Sequence, residues 1–207
     1  MIKAEVNITG TVQRSASIRT DRNNQPYVSF VMSVSLADGS GTKDIRVFVS
    51  VPQARQSDLS VYTEGQRVTA SGTMDIRRKD DGLSFYLTAR LVTAENVPAL
   101  DAISGTLSFR GYLKKENIFD ERTSKNGRPY LLFSAYSSEK VGDNFVSTWV
   151  TFMRFPEKNA TVESIKPDWL RPRAHVDISG DLRISFYKEA PSLSCIVREM
   201  TEHINNS

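Results

Sequence analysis

Four short segments of this chain occur twice, in the same order. P-Y-V-S-F (Pro26 to Phe30) is matched by P-Y-L-L-F (Pro129 to Phe133), and G-T-V (Gly10 to Val12) by G-Y-L (Gly111 to Leu113). I-R-V-F-V-S-V-P (Ile45 to Pro52) is matched by W-V-T-F-M-R-F-P (Trp149 to Pro156), and R-V-T-A-S-G (Arg67 to Gly72) by H-V-D-I-S-G (His175 to Gly180). The offset stays between 101 and 108 residues, so the 207 residues read as two copies of one small domain. The copies are expected at residues 1–99 and 104–203, joined near Pro98 to Ser104, with the second the more diverged.

Within the first copy the apolar residues recur at spacing two, the period of a strand with one buried face. Ala4, Val6, Ile8 and Val12 alternate with polar residues across residues 4–12, with Gly10 as a bend. Polar residues 19–26 read as a turn. Val28, Phe30, Met32 and Val34 then form one face, and Tyr27, Ser29, Val31, Ser33 and Ser35 the other. After an Asp38-Gly39-Ser40-Gly41 turn, Ile45, Val47, Val49 and Val51 share a core face, which leaves Arg46 and Phe48 outward. Residues 52–63 carry no strand pattern and read as a loop or short helix.

The most specific stretch is Tyr62 to Val92. Val68 and Ala70 belong to one strand, and Phe85, Leu87, Ala89 and Leu91 to the next. Between them lies Arg77-Arg78-Lys79-Asp80-Asp81-Gly82, in which Asp-Gly is expected to supply the positive φ that closes a hairpin. The order Y-x-x-G-x-x-V-x-x-x-G, a basic run, D-x-G, and a strand carrying Tyr86-Leu87-Thr88 resembles the last third of the bacterial single-stranded DNA-binding protein family. The resemblance covers nearly all of the first copy and reaches the second through the repeat. It implies an all-β fold of two tandem OB-fold five-stranded barrels.

Proteins that hold single strands need cations for phosphates and exposed rings for bases. In the first copy the candidates are Tyr27, Arg46, Phe48, Arg77, Arg78, Lys79 and Tyr86; in the second they are Lys125, Arg128, Tyr130, Tyr136, Trp149, Arg154, Phe155 and Lys188. Phe30 and Phe133 lie on the apolar faces and are assigned to core. In the third strand of the second copy either face fits the interior, since Trp149, Thr151, Met153 and Phe155 oppose Val150, Phe152 and Arg154. The resemblance favours Trp149 and Phe155 as outward, because the family carries stacking rings at that spacing. The last hairpin of this copy is expected to turn at Lys188-Glu189-Ala190-Pro191, and its middle turn, Ser124 to Arg128, is the more basic of the two middle turns. Departures are also visible: the basic run of the first hairpin has no tryptophan, and the family's tail with an acidic tip has no counterpart in T-E-H-I-N-N-S.

The net charge is only +3, with 12 basic and 11 acidic residues up to Asp101 and 15 and 13 beyond it. Nucleic-acid binding must therefore rest on a local basic face. The single Cys195 excludes an intrachain disulfide, and no apolar run is long enough to span a bilayer, so a cytoplasmic protein is expected. No phosphate-binding loop, dinucleotide fingerprint or zinc spacing appears, and neither His175 nor His203 belongs to a visible constellation of cysteines or carboxylates. No catalysis and no cofactor are expected. The reading is sequence-independent binding of single-stranded DNA, with RNA equally compatible, in replication, recombination, repair or mobile-element transfer. A homodimer would present four barrels, the number that the family presents as a homotetramer. The other reading is a protein-docking accessory subunit of a replication, primosome or conjugation complex; convergence of Tyr27, Phe48 and Arg78 on one groove would separate the two.

Overall fold

A computed structural model describes residues 1–39, 41–53, 59–79 and 82–204. Strand is the dominant structure of these residues, with 3-10 turns at residues 59–60 and Glu163–Ile165 and, among them, no helix long and apolar enough to cross a membrane. By contacts the chain divides into two compact units. The N-terminal unit is Lys3–Gly105 with Ser185–Pro191; the C-terminal unit is Met1–Ile2, Thr106–Ile184 and Ser192–Ser207.

The N-terminal unit contains β1 (Ile2–Thr20), β2 (Pro26–Asp38), β3 (Gly41–Pro52), β4 (Arg67–Lys79) and β5 (Gly82–Thr93). The β1–β2, β2–β3, β4–β5 and β1–β4 pairs are antiparallel, and β3 runs parallel to β5 from Val47↔Phe85 to Ser50↔Thr88. The pairings thus return to β1. Over the central part of these strands alternate residues turn into the core: Val28, Phe30, Met32 and Val34 from β2, Val47 and Val49 from β3, Phe85, Leu87 and Ala89 from β5 are all 2% exposed or less. Burying side chains of this size contributes about 1.5–3 kcal/mol each. The Tyr62 ring stacks on Phe30 at 5.0 Å and lids this core. Beyond β5 the chain is pinned, since Asp101 accepts hydrogen bonds from the Ser35 N–H at 2.8 Å and from Arg67 at 2.7 Å.

The C-terminal unit repeats the plan with β7 (Asp120–Thr123), β8 (Pro129–Val141), β9 (Asn144–Arg154) and the greater part of β6 (Ala102–Leu113), β10 (His175–Tyr187) and β11 (Ala190–Glu202). The neighbours run β6-β10-β11-β9-β8, with β6 also pairing β8, and the β9–β11 pair is again the parallel one. Phe109, Phe133 and Phe152 interlock in the core at centroid distances of 5.1 and 5.2 Å. Glycines mark matching close approaches in both units. A Cβ on Gly72 would stand 2.1 Å from the Thr88 carbonyl oxygen, and one on Gly180 would stand 2.1 Å from that of Ile196.

Four local expectations are corrected. The first strand continues to Thr20, because residues 14–20 lack an apolar period yet pair with β2 as far as Thr20↔Pro26. Leu91 is 63% exposed: the register slips from Gly72↔Ala89 to Ser71↔Leu91, and the bulge turns Leu91 off the core face. Gly82 has no positive φ and pairs with Lys79 inside the ladder, so the connection is residues 80–81, which lie outside the described residues, as does Ser40 of the other turn. The last hairpin turns at Lys188 and Glu189 alone, with φ of 47° and 68°, while Ala190 and Pro191 already begin β11. Two successive positive φ values are what a two-residue type I′ connection needs. Of the expected loop at residues 52–63, residues 54–58 lie outside the described residues.

Candidate nucleic-acid interface

Since Val47 and Val49 of β3 and Phe85 and Leu87 of β5 point inward, alternation puts Phe48 and Tyr86 on the outer face. The parallel register sets them side by side, and their rings stack with centroids 5.4 Å apart at 21°. They remain 42% and 37% exposed, so part of each ring faces solvent. Tyr27, at the start of β2 and opposite Pro52, lines the same open groove of about 880 Å³ with Arg19, Ser29 and Ser50. The groove's rings come from β2, β3 and β5, three neighbouring strands, so its floor is as rigid as the sheet.

The basic run lies on the approach to this face. Asp75 pairs with Tyr86 and Arg77 with Ser84, which places Arg77 and Lys79 on the Tyr86 side of the β4–β5 ribbon. Arg78, opposite Leu83, falls on the other side, and it does not line the groove. Tyr27 and Phe48 therefore converge without Arg78. All three cations are exposed and form no ion pair among the described residues, which leaves their charge available to an anion. Arg46 is likewise exposed, two residues before Phe48 on the same face of β3.

In the C-terminal unit the ambiguity of β9 is resolved by burial. Val150 and Phe152 are 1% and 0% exposed, so Trp149, at 49%, and Phe155 take the outer face. Trp149 pairs with Tyr136 across β8–β9 with rings 5.0 Å apart. Some six residues away along β8, Tyr130 stacks on Phe155 at 5.0 Å, and the Arg128 guanidinium lies 5.0 Å from the Phe155 centroid while donating to the Pro156 carbonyl. Lys125 is exposed in the Ser124–Arg128 turn. Arg154 is not part of this face: its guanidinium donates to the Ile165 carbonyl at 2.8 Å, and burial lowers its pKa. Lys188 belongs by its contacts to the N-terminal unit, with its ammonium 5.5 Å above the Tyr187 ring.

Sequence reading missed the rings that continue the Trp149–Tyr136 pair. Tyr112 lies 5.9 Å from Tyr136, His175 stacks on Tyr112 at 4.4 Å and 13°, and His203 meets His175 edge-on at 4.3 Å. The signal for Tyr112 was available, since it stands between buried Gly111 and Leu113 and must point outward. The histidines are also not isolated. His203 Nδ1 lies 2.6 Å from an Asp177 oxygen and Arg110 donates to the other at 2.7 Å. Burial raises the Asp177 pKa, but these two hydrogen bonds outweigh it and hold the carboxyl below its usual range. Cys195 offers no nucleophile, because it is fully buried and burial pushes its thiol up to about 12.

No protein-family profile matches the chain, and no curated protein does. Among solved structures it is similar to the wild-type single-stranded DNA binding protein from Thermus aquaticus, with 13% identity and a TM-score of 0.46 over 99% of this chain and 94% of that one. A mitochondrial single-stranded DNA binding protein from S. cerevisiae matches at 22% identity and TM-score 0.37, over 49% of this chain and 96% of that one. The small single-stranded DNA-binding protein from Streptomyces coelicolor matches at 17% and 0.33, over 45% and 90%. At such identities and TM-scores, the functional reading rests on this chain's own residues.

Proposed function

We propose that this chain binds single-stranded DNA without sequence preference, by stacking bases on Phe48, Tyr86 and Tyr27 and holding phosphates with Arg77, Lys79, Arg46 and Arg19. One observation carries the reading: a solvent-open groove with a pair of half-exposed stacked rings on rigid strands. A base offers a flat π-face to each of these rings. In each unit the pairing ring with its single parallel pair supports a five-stranded OB barrel, so that residues 1–99 and 104–203 act as tandem domains. The C-terminal domain joins through Trp149, Tyr136, Tyr130, Phe155 and Arg128. Linking the two domains raises the effective concentration of the second once the first is engaged. A homodimer presenting four such domains extends the proposal, and a monomeric mass by light scattering would remove that part alone.

The test is a fluorescence-anisotropy titration with labelled dT of about 30 nucleotides at two salt concentrations, beside duplex of the same length. Saturable binding to the single strand that weakens with salt, and much weaker binding to duplex, is expected. No binding to dT at low salt would overturn the reading and leave a protein-docking module in its place.

A further inference from the structure

The wall of the groove around Tyr27 is polar. The registers Arg19↔Tyr27 and Tyr27↔Pro52 bring Arg19, Asp21, Gln25 and Gln53 to this end, and all four line the cavity. Two are amides, which carry donors and an acceptor and turn to suit any base, and Arg19 donates to a phosphate wherever one passes. Asp21 differs, because a carboxylate accepts hydrogen bonds and donates none, and its charge repels phosphates. The turn that follows β1 fixes where this carboxylate stands. The Asp21 N–H donates to the Gln25 carbonyl at 3.0 Å, and the Asn24 N–H to the Asp21 carbonyl at 3.1 Å. The side chain is tied in as well, since its Oδ1 accepts from the N–H groups of Asn23 and Gln25, both at 2.8 Å. The turn thus uses one carboxylate oxygen. The other, Oδ2, has no hydrogen bond or ion pair among the described residues.

We propose that Asp21 selects among bases: a base seated on Tyr27 donates from its exocyclic amino group to Asp21 Oδ2, so that at this one position cytosine and adenine are held more tightly than thymine. This rests on the single-strand reading above and deepens it, since stacking holds the strand whatever its sequence and Asp21 grades the affinity by base. Cytosine N4 and adenine N6 present N–H donors to an acceptor, whereas thymine sets carbonyl oxygens on both sides of its N3–H and turns their lone pairs towards the carboxylate charge. A carboxylate in a groove that takes a polyanion opposes binding unless it meets such a donor.

Anisotropy titrations of the full chain test it, with labelled DNA strands of about 12 nucleotides made of deoxycytidine or of deoxyuridine, at about pH 8. The two strands differ only along the base edge, an amino group against a carbonyl at C4 with the accompanying N3 proton, so backbone charge and stacking area are the same. The parent chain is expected to bind the deoxycytidine strand about 3-fold or more tighter. Asp21→Asn keeps Oδ1 for the two turn hydrogen bonds and puts an amide donor where Oδ2 stood, so the preference is expected to vanish or reverse. Loss of the charge alone, or a loosened turn, moves both Kd values by one factor and leaves their ratio unchanged. A parent chain without preference for deoxycytidine, or the same ratio in parent and variant, would overturn the selection by Asp21 and leave the proposed function standing. Absence of saturable binding to either strand at low salt would overturn both.

Discussion

Phe48 and Tyr86 stack at 5.4 Å because β3 and β5 run parallel and in register, a pairing between residues of two strands separated by all of β4. The ladder holds both rings before any ligand arrives, so little order has to be imposed on binding. Each ring is expected to serve one base: Phe48→Ala or Tyr86→Ala should weaken dT binding by about 1–3 kcal/mol, roughly 5- to 150-fold. The double variant should fall short of the product of the two, since each ring supports its neighbour. Anisotropy titrations of the three variants measure this, and far-UV circular dichroism should be unchanged because both rings lie outside the core.

The basic run makes a different prediction, because its cations act on phosphates and not on bases. For a single strand each phosphate contact contributes about 0.7 to the slope of log K against log salt. Arg77→Ala and Lys79→Ala, on the Tyr86 side of the ribbon, should each lower that slope by about this amount. Arg78→Ala should change it less, since Arg78 falls on the opposite side. Equal effects from all three would mean that the hairpin tip meets the strand from both faces.

Alternation made much of this legible in the sequence. Phe30, Met32, Val47 and Phe85 could be assigned to core, and Phe48 and Tyr27 to the outer face, because a strand's period leaves no other choice once one face is apolar. The period is blind to what happens across strands. Nothing local says that Phe48 meets Tyr86, that Asp177 meets His203, or that Tyr136 meets Tyr112, since these contacts are created by register. It also fails wherever a bulge adds a residue, as at Leu91, and wherever a strand is held by its partner and not by burial, as in residues 14–20 of β1. Arg154 was misplaced for a related reason: alternation in β9 was ambiguous until Val150 and Phe152 were seen inside, and Arg154 shares their side.

Gly72 sits where two strands press closest, with space for no side chain. Its Cβ would meet the Thr88 carbonyl oxygen at 2.1 Å and the Ala89 Cα at 2.9 Å, and both are backbone that cannot rotate away. Gly72→Ala should therefore destabilise the fold by about 1–3 kcal/mol, as overpacking does, and Gly180→Ala should do the same against the Ile196 carbonyl. Gly41→Ala, which meets nothing within 4 Å, is the control and should be close to neutral. Urea unfolding of the three variants reads the difference as a shift in midpoint.

His175 ties stability to pH. Burial lowers its pKa below the usual 6.5, and the nearby His203 lowers it further, with Arg110 acting in the same sense and Asp177 opposing. Between the two pKa values the unfolded chain binds the proton more readily than the folded one, so stability rises with pH across that interval. The contribution is complete above about pH 6.5 and is lost as pH falls through the folded value. The shifted carboxylates act lower, because Asp177 and Glu5 both titrate below their ordinary values of 3.8 and 4.5. The interval between pH 4.5 and 6.5 thus lies above these two carboxylates and below the ordinary value of the imidazole. His175→Gln should lose the stacking on Tyr112, and with it some stability at every pH, yet show a flatter stability profile than the parent chain across this interval. Urea midpoints at pH 5, 6 and 7 check it: parallel profiles for parent and variant would remove His175 as the source of the slope.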